Sequence, residues 1–164
     1  MRRAQVSTGR ITFHYRPELG RWRVRFAACH KAWLREGFML ERGAPLIGHV
    51  AYTFVSLPEM QALHERLLGD PAPTDVITLD YREAVGTPLL AEVFICPVFV
   101  RASAQALRLP YGEELRRVLA HALLHLLGYR DDTPEARFRM RVAEERWLTL
   151  WKTRKCVSHE TSRV

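Results

Sequence analysis

A chain of 164 residues, 48% hydrophobic and 26% charged, is long enough to bury roughly two thirds of its unfolded surface around one core and too apolar to stay disordered. Lys and Arg number 25 against 18 Asp and Glu, a formal net charge of +7, which suits a polyanionic partner such as nucleic acid and equally a merely soluble basic protein. Cys29, Cys96 and Cys156 form no CxxC pair, no apolar segment follows the basic N-terminus, and no stretch approaches the roughly 18 apolar residues of a membrane span, so no disulfide framework is expected and a reducing cytoplasm fits best.

Arg10 to Pro17 (RITFHYRP) alternates apolar and polar residues at period two, which predicts a short strand closed by Pro17. From Gly20 to Phe38, the residues Trp22, Phe26, Cys29 and Trp33 recur at i, i+4, i+7 and i+11, predicting one helix whose aromatics face a core while Arg21 and Arg25 lie off the stripe. Pro45 to Ser56 reads as a strand. The helix after it has Ser56 as N-cap, Pro58 in its first turn and Gly69 past its end. Thr74 to Tyr81 and Leu89 to Val100 are further β-branched and aromatic runs, separated by a loop carrying Gly86 and Pro88. Three helices follow: a short one halted by Pro110, a long one over Gly112 to Gly128, and a third begun by Thr133 as N-cap and Pro134. The expected fold is therefore α+β, a single domain with a four-stranded mixed sheet packed against helices and a central helix that binds metal. Residues 1–150 form that domain, and 151–164 are expected to be a loose basic tail.

The long helix carries His121 and His125 within HALLHLLGYRDD. Leu115, Val118, Leu119, Ala122 and Leu126 form one apolar face and Leu123, Leu124 and Leu127 extend it nearly all round, so the helix runs through the core, where an unsatisfied imidazole is costly. Residues at i and i+4 are neighbours on a helix face, close enough for two imidazoles to share one tetrahedral zinc, although backbone carbonyls could satisfy the pair instead. Gly128 can turn the chain back, and Asp131 follows six residues after His125. A glycine turn that returns a third ligand after a His-x3-His helix is the mechanics of the zinc proteases with extended histidine motifs. Asp131 has the better reach; Asp132 competes, and either acid could cap the next helix.

The string HALLHLLGYRD resembles the signature of the YbeY family of metal-dependent endoribonucleases, the rRNA maturation factors: His-Gly-x-Leu-His-Leu-x-Gly-Tyr-Asp-His. Upstream, PTDVITLDY is similar to the family's Thr-Asp-Val-Leu-Ser-Phe segment, and LLAEVFICPVFVRASAQAL to its Gly-Asp-Ile-x-Ile segment. The similarity spans roughly residues 46 to 147. Against the family pattern, Ala122 replaces a glycine, Arg130 an aspartate, Asp131 the third histidine and Ala91-Glu92 a Gly-Asp pair, while Leu68 stands where many members carry an arginine.

The resemblance implies a zinc-dependent endoribonuclease specific for single strands, with one Zn2+ per chain held by His121, His125 and Asp131. It further implies a role in small-subunit rRNA 3′ end maturation and ribosome quality control. Glu92 and Asp75 lie on segments that the family places near the cleft, and Glu92 is carried as a further catalytic candidate. Arg21, Arg25 and Arg130 are the expected RNA contacts; Arg130 could equally pair with Asp132 or Glu135, since a guanidinium fits phosphate and carboxylate alike. Two other readings stand beside this one. One is a non-catalytic RNA-binding ribosome-assembly factor with a structural metal, kept open by the Arg130-Asp131 departures. The other is a zinc peptidase, disfavoured because Ala122 occupies the position of the catalytic glutamate in HExxH enzymes.

Overall fold

The computed structural model describes residues 9–41 and 43–154. Its elements are β1 (Arg10–Tyr15), a 3-10 segment (Pro17–Trp22), α1 (Ala27–Leu40), β2 (Ile47–Phe54), α2 (Leu57–Leu68), β3 (Val76–Asp80), β4 (Leu89–Ile95), α3 (Pro97–Leu107), α4 (Tyr111–Leu126) and α5 (Pro134–Lys152). The strands form one four-stranded sheet in the order β1-β2-β4-β3. The β1–β2 and β2–β4 pairs are parallel and the β3–β4 pair is antiparallel, so the sheet is mixed as expected.

Strand alternation decides what each sheet face meets. Val50, Tyr52, Phe54, Ala91, Val93 and Ile95 point to one side and merge with Trp33, Phe38, Leu119, Leu123 and Trp147 into the main core. On the other side Ile77 and Phe94 pack with Met60 and Leu63 of α2 in a smaller cluster. The buried Tyr52 hydroxyl donates to the Leu119 carbonyl at 2.8 Å, tying the central strand to the middle of α4. The Trp33 indole N–H donates to the Trp147 carbonyl at 2.7 Å, tying α1 to α5. Gly37 lets those helices close in: a Cβ at that position would stand 2.6 Å from the Trp147 ring.

The α2 boundaries fall where capping chemistry places them. Ser56 accepts from the Glu59 amide and Gly69 ends the helix at φ 69°. Four expectations need correction. The single helix from Gly20 is two pieces, broken at Phe26, whose backbone is left-handed at φ 54°. His30 holds that bend by giving both its backbone N–H and Nδ1–H to the Phe26 carbonyl, each at 3.1 Å. Phe26 is consequently exposed and not a core residue. The fourth strand stops at Ile95 because Pro97 starts α3, a position that proline's fixed φ favours. Cys29 is held in a disulfide, which its spacing in the chain did not reveal, while Cys96 is buried and free. At the other end α5 runs through Lys152 with Trp151 buried, two residues past the expected start of the tail, whose residues 155–164 lie outside the described residues.

Candidate metal centre

Helix α4 is buried along Leu115, Val118, Leu119, Ala122, Leu123, Leu124 and Leu126, and its one polar stripe carries the histidines. The His121 and His125 side chains are 22% and 32% exposed, so they open to solvent from a buried scaffold. The helix ends in a Schellman motif: Gly128, at φ 95°, donates to the His125 carbonyl at 2.9 Å, and Tyr129 donates to the Leu124 carbonyl at 3.0 Å. That reversal returns the chain over the histidines, and the Asp131 carboxylate arrives 3.5 Å from His121 Nε2 and 3.4 Å from His125 Nε2.

Both imidazoles are oriented from behind. His121 Nδ1 lies 2.6 Å from Glu144 Oε1 on α5, and His125 Nδ1 lies 2.9 Å from the Tyr129 carbonyl. Carbonyl and carboxylate oxygens only accept, so each Nδ1 carries its proton and each Nε2 presents a lone pair. Those two Nε2 atoms face each other at 2.9 Å. Two lone pairs at that distance require a shared proton or cation. A tetrahedral ion about 2.0 to 2.1 Å from each ligand spaces them roughly 3.3 to 3.4 Å apart, close to the triangle formed by these two nitrogens and the Asp131 oxygen. Among the described residues, His121, His125 and Asp131 are the group whose donor atoms come together for a metal ion.

Beneath His121 the charge balance also favours a cation. Glu114 and Glu144 are 1% and 3% exposed, and one arginine, Arg117, bonds Glu114 and approaches Glu144 at 3.8 Å. Asp75 stands near the same groups, its carboxyl pushed above the usual range by burial, against which the nearby His121 and Arg117 work. The turn itself is clamped through Glu41, which accepts from the Tyr129 hydroxyl at 2.8 Å, the Trp147 indole at 3.0 Å and Arg146 at 3.0 Å. Arg137 holds the Asp131 carbonyl at 3.0 Å, and Arg82 caps α4 through the Leu126 carbonyl at 3.0 Å.

The other candidates are dispersed. Asp132 turns away to pair with Arg130 at 2.6 Å, so it is Asp131 that meets the histidines and it is a carboxylate that occupies Arg130. Glu92 is paired in register with Ala51 and Leu79, on the sheet face opposite Val93 and α4, and its contact is the Tyr81 hydroxyl at 3.4 Å. Strand alternation thus removes Glu92 from the site, a correction to its candidacy. Arg21 and Arg25 lie near the other end of α4, beside Tyr111 and Gly112. Sequence reasoning missed Glu144 and Glu41. The signal for Glu144 was a carboxylate on the apolar stripe Met140, Glu144, Trp147, Trp151, where a charge without a partner would be expensive.

Compared with known proteins, the sequence model of the family Endoribonuclease YbeY matches residues 24–152. The chain belongs to the YbeY family. Among its YbeY relatives, the Endoribonuclease YbeY of Phocaeicola vulgatus is 36% identical over 104 residues, 63% of this chain and 74% of that protein. The one from Chlamydia caviae is 39% identical over 105 residues, 59% of this chain and 65% of that protein. The one from Flavobacterium psychrophilum is 27% identical over 86% of this chain and 96% of that protein. The solution structure of a Thermotoga maritima protein shares the fold with a TM-score of 0.57 at 23% identity, over 87% of this chain and 89% of that one. No helix among the described residues is long and apolar enough to cross a membrane.

Proposed function

We propose that this YbeY protein is a metal-dependent endoribonuclease acting on single-stranded RNA, with one Zn2+ held by His121, His125 and Asp131. The observation that carries the reading is the pair of Nε2 atoms at 2.9 Å, each freed by a bonded Nδ1, with a carboxylate closing the triangle. The donor set suits zinc, two imidazoles and one carboxylate leaving a fourth position for water. A divalent ion held by these three residues would supply Lewis-acid charge and would activate water toward a phosphodiester. Glu144 and the Tyr129 carbonyl fix the imidazole orientations, and the Gly128 turn sets the reach of Asp131. Arg130, exposed beside the turn, can exchange Asp132 for a phosphate of the substrate, since a guanidinium binds either bidentately. Carboxylate in place of a third imidazole lowers the net charge at the ion by one unit, which weakens its pull on water and moves the working pH upward.

Ribosomal RNA of the small subunit, processed at its 3′ end in the cytoplasm, is the substrate we assign, as the resemblance of the HALLHLLGYRD segment implies; the family's name itself says only endoribonuclease. Residues 1–150 supply the catalytic domain with α5 completing it, and the basic residues beyond add charge for RNA. Ala122 is buried in the core where an HExxH peptidase carries its glutamate, which speaks against peptide hydrolysis.

The test is metal analysis of the purified chain paired with cleavage of single-stranded RNA. Wild type is expected to hold about one zinc per chain and to cut, with His121→Ala and Asp131→Ala losing both zinc and cleavage. Full zinc in Asp131→Ala sinks that ligand. Zinc retained and RNA bound without turnover in the wild type establishes the assembly-factor reading instead.

A further inference from the structure

At the end of α4 remote from the histidines, the 3-10 segment, the bend before α1 and the first turn of α4 enclose a cleft of about 420 Å³ lined by Arg21, Arg23, Arg25, Trp22, Tyr111 and Arg116. We propose that this cleft is a second RNA-binding site, an arginine clamp for the phosphates of single-stranded RNA with Phe26 as a platform for one base. The choice of RNA rests on the endoribonuclease reading above; the clamp itself rests on how these side chains are held.

Six arginines elsewhere among the described residues are neutralised by a carboxylate: Arg16, Arg82, Arg117, Arg130, Arg146 and Arg154. Around the cleft, arginines are mounted on aromatic rings: Arg21 and Arg101 lie 5.4 and 5.1 Å from the Trp22 ring, and Arg23 lies 5.0 Å from Tyr15. Arg25 lies 5.7 Å from Phe26, and Arg116 lies 4.6 Å from Trp151. Among the described residues, none of Arg21, Arg23, Arg25 and Arg101 forms an ion pair with a carboxylate. A ring face restricts a guanidinium without cancelling its charge or using its in-plane N–H groups, so the fork stays available for a phosphate. Side-chain entropy that a flexible arginine would lose on binding is lost already in folding.

Phe26 selects an unpaired strand over other polyanions. It is 42% exposed and sits in the left-handed region at φ 54°, a strained place for a bulky residue that persists only where its surroundings enforce it. The enforcement is His30, buried against Trp151 at 4.3 Å between ring centroids and bonded twice to the Phe26 carbonyl. An exposed aromatic ring beside unneutralised arginines is the combination that stacks a base and holds its backbone, and a base in a duplex is unavailable for it. At 100° per residue, Gly112 is about 180° from His121 around α4, and about 14 Å lower along its axis. The clamp and the metal centre are therefore separate, and a strand engaged at both must pass around the helix.

The experiment is anisotropy titration of a labelled single-stranded RNA with the full chain, stripped of metal by EDTA, from about 50 to about 200 mM salt. Expected is a loss of about tenfold or more in affinity for the combined variant Arg21→Gln, Arg23→Gln, Arg101→Gln, with the salt slope reduced by about 2. Phe26→Ala is expected to weaken binding about tenfold with the slope unchanged. Arg101→Lys, which keeps the charge, guards against a folding defect and is expected to keep the slope. Unchanged affinity and slope in the triple variant overturns the clamp, as does equal competition by polyglutamate, which would mark a site for an acidic protein. A wild type that binds RNA here but never cuts it refutes the nuclease and leaves the clamp standing. A working nuclease whose triple variant binds unaltered refutes the clamp alone.

Discussion

Replacing Glu144 tests whether the buried carboxylate behind His121 serves the metal. It is 3% exposed, 2.6 Å from His121 Nδ1 and 3.8 Å from Arg117. In Glu144→Ala the imidazole loses the acceptor that fixes its tautomer, so Nε2 presents a lone pair only part of the time and the ring is free to rotate. Outer-shell partners of ligating histidines contribute roughly 10- to 100-fold to metal affinity, about 1.4 to 2.7 kcal/mol. Glu144→Ala is expected near the upper end, because it leaves the His121 Nδ1–H with no acceptor from α5. Glu144→Gln keeps an acceptor oxygen in the same shape and is expected near the lower end. The assay is competition for zinc against a chelator of known affinity, with a thermal melt to confirm folding. A Glu144→Ala protein that melts as a folded chain and binds zinc within about twofold of wild type would show that His121 is oriented by α4 packing alone.

Gly128→Ala forces a side chain into φ 95° and is expected to lower stability by about 1 to 2 kcal/mol and weaken zinc binding with it; an unaltered melting temperature refutes the turn's role. Tyr52→Phe removes the buried bond to the Leu119 carbonyl and should lower stability by about 1 to 3 kcal/mol in urea unfolding while leaving RNA cleavage intact; lost cleavage in a folded variant would contradict its purely structural placement. Burial holds His30 at about 4, against about 6.5 in the unfolded chain, so the unfolded state takes up the proton first and stability falls as pH drops below 6.5. The loss from about pH 7 to about pH 5 is of order 2 kcal/mol, and His30→Asn should remove it; an unchanged pH dependence in that variant shows that other groups carry it.

Local chemistry was legible in the sequence where one segment contains its own cause. Ser56, Pro58 and Gly69 bound α2, Thr133 caps α5 through the Ala136 amide, and Gly128 ends α4 because each acts within a few residues. The same locality revealed His121, His125 and the returning acid. What escaped depended on partners far along the chain. The stripe from Trp22 to Trp33 is equally compatible with an unbroken helix and with one bent at Phe26, and only the burial of His30 beneath Trp151 selects the bend. Glu92 was misplaced because its face is set by register with β2 and β3. Glu144 was missed because its partner lies 23 positions earlier on another helix.

That separation gives the metal centre a birth order. Translation completes α4 before α5 exists, and the 23 residues from His121 to Glu144 take roughly 1 to 5 s to add at cellular elongation rates. Over that interval a nascent chain carries both histidines but neither the carboxylate that orients one of them nor Arg146 and Trp147, which brace the Glu41 clamp. Zinc captured then would be held by loose imidazoles and released readily. The docking of α5 thus completes the setting of His121, and a metal bound at the histidines would be held tightly only once the helical layer has closed over the sheet.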